Sequence, residues 1–158
     1  MTNQLPLDES SLRFLEDKPV FSTVLIYEGL AAGRRAKQFY EKLTAEFGED
    51  CRFTENAWSF KVLGLAPIAN AAAIAAAAAD IVIFSVSGTN QLPPKVEEWI
   101  ETWVRLINEG NPALVALFDS PVANSAVTIR AYLRKVTEGK RIDFFPHSTF
   151  LARIDHKS

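Results

Sequence analysis

The chain has 158 residues, 48% hydrophobic and 11% aromatic, which is enough apolar material for one domain with a single large core. Its 17 basic and 19 acidic residues leave a formal net charge of -2, without the marked basic excess of a polyanion-binding surface, so no nucleic-acid partner is expected. The single cysteine, Cys51, excludes an intrachain disulfide and any multi-cysteine metal site.

Met1 to Lys18 mixes Pro, Asp, Glu and Ser with a short apolar patch at Leu12, Phe14 and Leu15. This reads as an N-terminal arm with one helical turn docked by Phe14, ahead of a single domain over 19–150 and a polar tail over 151–158. Met1 to Asp17 is polar and acidic and shows no secretory pattern, so a cytoplasmic location is expected. Val20 to Tyr27 is rich in β-formers and predicts the first strand. Glu28-Gly29 then turns the chain into a helix from about Ala31 to Phe47. Its positions Ala32, Ala36, Phe39, Tyr40, Leu43 and Phe47 recur at intervals of three and four, giving one stripe to pack on a sheet, and Gly48 ends it.

Cys51 to Asn56 predicts a short second strand, less hydrophobic than the rest and therefore at an edge. Trp58 to Leu65 fits neither period cleanly and leans to a helical turn. Pro67 suits the first turn of the helix that carries the alanine run Ala71 to Ala79, broken only by Ile74. Asn70 and Asp80 hold that run well under the ~20 apolar residues that span a bilayer, so no membrane partner is expected. Asp80 and Gly88 bracket seven residues, mostly β-branched or aromatic and nearly continuously apolar from Ile81 to Phe84, as expected of a central strand buried on both faces of a parallel sheet.

Leu92-Pro-Pro-Lys introduces a helix to about Glu109, closed by Gly110 and Pro112. Trp99 and Trp103 share its broad apolar arc with Val96 and Ile107. That arc is wide enough for core packing plus a surface contact between two copies, so a homodimer is expected. Ala113 to Phe118 is the fourth strand, Val122 to Glu138 the last clear helix, and Arg141 to Phe145 the fifth strand. Five strands alternating with four helical segments predict an α/β three-layer sandwich, flavodoxin-like, with parallel strand order 2-1-3-4-5. A Rossmann half with another order is the competing arrangement.

In such a sheet ligands bind outside the carboxyl ends of the strands, at the switch point between strands one and three. That rule selects Glu28 and Gly29 after strand one, and Ser87, Gly88, Thr89 and Asn90 after strand three. It adds Asp119 and Ser120 after strand four and His147 after strand five. The chemistry these residues encode is incomplete. Glu28 to Arg35 lacks the GxGxxG and GK[ST] spacings of phosphate loops, and Ser87 to Asn90 is the better anion candidate. Ser87, Asp119 and His147 supply the residue types of a hydrolytic triad without a G-x-S-x-G elbow. Glu28 and Asp119 make a two-carboxylate metal site with no third ligand. No catalytic residue, resident metal or cofactor is assigned.

The five strand–helix units resemble a response-regulator receiver domain. Receivers carry an acidic pair after strand one, a phosphoacceptor Asp ending strand three, Ser or Thr ending strand four and Lys ending strand five. Glu28 matches the acidic position and Ser120 sits near the hydroxyl position. The third strand exits instead through Ser87-Gly88 and the fifth through Pro146-His147, and Asp80 lies at the wrong end of its strand. The resemblance thus implies the fold and a role in protein contacts, not phosphoryl transfer to an aspartate. The Val-Leu-Ile-Tyr-Glu strand and the Trp-x-x-x-Trp helix also resemble uncharacterised bacterial proteins of the same fold. The expected function is a non-catalytic regulatory or protein-interaction module. The alternative is a small-molecule enzyme or a nucleotide- or flavin-binding protein that uses the crevice between strands one and three.

Overall fold

The computed structural model describes residues 19–146. The expectations for the N-terminal arm, for the 151–158 tail and for His147 lie outside those residues. Five strands form one sheet: β1 (Val20–Tyr27), β2 (Arg52–Ser59), β3 (Ile81–Val86), β4 (Ala113–Phe118) and β5 (Asp143–Pro146). Their order is β2-β1-β3-β4-β5, and all four neighbouring pairs are parallel. Four helices connect them among the described residues: α1 (Leu30–Phe47), α2 (Ala66–Ala77), α3 (Pro94–Leu106) and α4 (Asn124–Thr137). The flavodoxin-like order is the one expected.

All six residues of β3 are buried, because the strand has a sheet neighbour on each side and helices over both faces. Alternation sends Val82, Phe84 and Val86 to one face and Ile81 and Ile83 to the other. The first face joins Val24, Ile26, Leu114 and Phe118 and packs on α2, α3 and α4. The second face meets Ala36, Phe39, Tyr40 and Leu43 of α1. Burying each Ile, Val or Phe contributes about 1.5–3 kcal/mol, so this strand alone anchors both halves of the core.

Element boundaries differ from the sequence expectation where tertiary pairing decides them. β2 runs to Ser59 rather than Asn56, because β1 templates it over eight consecutive pairs from Val20–Arg52 to Tyr27–Ser59. The expected helical turn narrows to a 3-10 helix, Phe60–Gly64, whose Phe60 and Leu63 are buried. α3 stops at Leu106 instead of Glu109, where Ile107 takes an extended conformation and leads to the turn at Gly110, φ 86°. α4 begins at Asn124, leaving Val122 outside it and 90% exposed.

Alanine gives α2 a thin inner face. Ala72, Ala73 and Ala76 are essentially inaccessible. The uncovered backbone admits a side-chain donor, and Trp99 Nε1 donates to the Ala69 carbonyl at 3.0 Å. Trp99 stacks on Trp103 with centroids 5.9 Å apart, and they are 3% and 1% exposed. Both rings therefore belong to the core. The exposed side of α3 carries Glu98, Glu101 and Arg105 together with Leu106, so the tryptophan rings themselves are not part of its surface. No helix among the described residues is long and apolar enough to cross a membrane.

Candidate functional site

The rim at the carboxyl ends of β1, β3 and β4 brings together most of the residues that the strand-end rule selects. Glu28 is the first residue past β1, and its backbone N–H continues the sheet ladder by donating to Ser85 O at 3.0 Å. That anchor aims its carboxylate across the switch point. Oε1 accepts from the Ser87 backbone N–H at 2.8 Å and Oε2 accepts from Asn90 Nδ2 at 3.0 Å. Both oxygens are thus engaged by the β3–α3 loop. Hydrogen bonds to a charged acceptor contribute about 1.5–3 kcal/mol each, less where water reaches them.

The loop is also folded on itself. Ser87 Oγ accepts from the Thr89 N–H at 3.2 Å and lies 3.1 Å from Thr89 Oγ1. Gly88 has φ 87°, a left-handed conformation that suits glycine. A Cβ there would come within 2.7 Å of the Ser120 carbonyl oxygen and 3.1 Å of the Ala126 Cβ. Only glycine lets the β3 exit approach the β4 exit so closely. Asp119 N–H donates to Val86 O at 3.2 Å and Ser120 N–H to Ser87 O at 2.8 Å, which extends the β3–β4 ladder past both strands. Gly29 precedes α1 with an extended backbone and no neighbour within 4 Å of a notional Cβ, so it carries no special constraint.

Arg35 completes the rim, and the strand-end rule did not select it. Its Nη2 lies 3.0 Å from Asp119 Oδ1, and Nη1 donates to Val86 O at 3.3 Å and, at longer range, to Ser85 Oγ at 3.5 Å. The guanidinium therefore spans β3 and β4 from the α1 side, as Glu28 spans β1 and β3. A signal for this existed: Arg35 is three residues after Ala32 and four before Phe39, so it lies on the inward stripe of α1. Two residues further along α1, Lys37 turns the other way and pairs with Glu55 on β2. That partner raises the Lys37 ammonium above its ordinary range, chiefly through the hydrogen bond.

This geometry bears on each chemistry in turn. Glu28 and Asp119 do not form a two-carboxylate centre, because each is directed to its own internal partner. Among the described residues, no group of three or more His, Cys, Asp or Glu is placed to hold a metal. The Ser87 hydroxyl serves the turn of its own loop, and Asp119 orients Arg35. At the other end of the sheet Asp80 is structural: its carboxylate accepts from Ser22 N–H at 3.0 Å and its backbone continues the ladders to β1 and β4.

Comparison with known proteins adds nothing to this geometry. No family model, curated protein or solved structure gives a significant match to the chain.

Away from the rim, an open cavity of about 690 Å³ lies at the amino ends of the strands. Phe21, Ile74, Ala78, Leu106 and Glu109 are among its lining residues, with Asp80 at its polar margin. Ile74 is 64% exposed there and Leu106 43%.

Proposed function

We propose that this domain is a non-catalytic regulatory or protein-interaction module of receiver-like fold, acting in the cytoplasm and associating with itself. One observation carries the reading: the polar groups at the strand exits are engaged with one another. A catalytic or ligand-binding rim holds groups free toward the space a substrate occupies. Here Glu28 closes the crevice by hydrogen bonding across it, and Arg35 joins β3 to β4. Such a rim works as a rigid platform of fixed loops, which suits recognition by surface contact.

Thermal-shift measurements with nucleotides, flavins and Mg²⁺ test this directly. The expected outcome is no stabilisation by any of them. Stabilisation by a nucleotide or flavin that is lost in Glu28→Gln and Asn90→Ala, each compared with its own ligand-free baseline, would overturn the reading. The crevice would then be a ligand site that opens on binding, and the enzyme or nucleotide-binding alternative would replace the module.

A further inference from the structure

We propose that the outer face of α2 is the surface through which two copies of this chain associate, antiparallel about a two-fold axis. The inference rests on the self-association in the preceding reading and assigns it a place. Between Lys61 and Asp80 there is no charged residue, although this stretch includes a whole surface helix. The side of α2 turned away from the core carries Pro67, Ala71 and Ile74, with Ala78 just beyond its end, all exposed. Their spacing of four, three and four is that of a helix–helix seam. Solvated helices ordinarily carry charge on this side, and α3 does so with Glu98, Glu101 and Arg105.

Two features favour a second copy as the occupant. First, the exposed side is apolar in both halves, with Pro67 and Ala71 toward one end and Ile74, 64% exposed, and Ala78 toward the other, so that one half can lie against the other half of a second copy. A two-fold contact needs such self-complementarity. Second, the two ends of the face have opposite charge. Lys61 precedes α2 and Lys95 lies close to Ala66 and Asn70, whereas Asp80 and Glu109 border the cavity at its far end. An antiparallel arrangement sets each basic end against the partner's acidic end and opposes the helix dipoles. Placing the axis between Asn70 and Ala71 brings Ile74 of one copy opposite Pro67 of the other. The face is small, so the contact it makes is weak and reversible. Twelve residues of helix are about 18 Å long and about 10 Å wide, which with the cavity margin falls below the ~800 Å² per partner of a stable interface.

Light scattering coupled to size exclusion, and sedimentation equilibrium up to millimolar concentration, test the assignment. The expected result is a concentration-dependent monomer–dimer equilibrium that Ile74→Asp shifts at least tenfold toward monomer. Because Ile74 is exposed, this variant should keep the parent circular dichroism and melting temperature. Lys61→Glu and Glu109→Lys should each weaken the dimer, and the double exchange should restore it. A dimer insensitive to Ile74→Asp and to the charge exchanges would overturn the surface while leaving self-association standing. A wild-type chain that stays monomeric throughout would overturn both, and the thermal-shift result on the strand-exit rim would stand apart from either failure.

Discussion

Gly88 has the narrowest tolerance of any position on the rim. Its positive φ and the 2.7 Å approach of the Ser120 carbonyl to a notional Cβ act together. Gly88→Ala should therefore cost about 2 kcal/mol or more, from backbone strain and from parting the Ser87–Ser120 ladder bond. Ser87→Ala, which removes only a turn hydroxyl, should cost about 1 kcal/mol or less. Urea denaturation followed by tryptophan fluorescence measures both, and equal midpoints would contradict the close-approach account. Tyr132 makes a different claim at this scale. Its hydroxyl lies 2.9 Å from Glu101 Oε2 and 3.2 Å from Glu97 O, and burial together with these groups raises its pKa well above the usual phenol value of 10.0. A raised pKa means the folded state holds the proton more tightly than the unfolded one. The associated stability is complete below pH 10 and is lost as pH rises beyond it. Stability should accordingly fall with increasing alkalinity, and Tyr132→Phe should flatten that fall. Some slope should remain, because burial also raises Tyr40.

Among the elements, α2 divides most sharply into an inner and an outer side. Ala76 is 0% exposed and sits where the helix approaches the sheet, so Ala76→Leu should overfill the core and cost about 1–3 kcal/mol. A chemical denaturation curve checks this, and an unchanged midpoint would show slack in the α2–sheet contact. The composition of α2 announced its inner side, since small residues permit close packing, but did not reveal which alanines stay in water. Strands were legible in proportion to their burial. β3 and β4 are dense apolar runs; the bounds of β4 followed from the residues alone, and those of β3 to within one residue, Ser87 lying beyond the strand. β2, with polar Thr54, Glu55 and Asn56, owes its last three residues to pairing with β1, which local pattern does not encode. The ends of α3 and α4 differed for a similar reason: Ile107 and Val122 suit a helix locally but serve turns imposed by the chain's return to the sheet. The apolar arc of α3 is wider than one core-facing stripe: Trp99 and Trp103 are buried against α2 and the sheet, while Leu106 stays 43% exposed at the rim of the amino-end cavity.

On the scale of the whole molecule, the parallel order and the alternation of elements were enough to say where a site would be sought. Glu28, Ser87, Gly88, Thr89, Asn90, Asp119 and Ser120 do converge at one end of the sheet. What the residue types could not disclose was the direction of their side chains. Glu28 and Asp119 looked like a facing pair of carboxylates, yet one caps a loop and the other holds an arginine from α1. Arg35 escaped notice because a helix residue remote from the strand ends becomes a rim residue only after α1 has docked.

The sheet order also shapes how the chain is made. β1 lies between β2 and β3, but only β2 follows it closely in the sequence. As the polypeptide leaves the ribosome, β1, α1 and β2 are complete while the far side of β1 still awaits Ile81 and its neighbours. For that interval the nascent half-sheet presents a bare hydrogen-bonding edge to other emerging chains. Slowing synthesis after Ser59 has emerged and before Ile81 to Val86 emerge should lengthen this exposure, making that interval the one in which chaperone cover matters most.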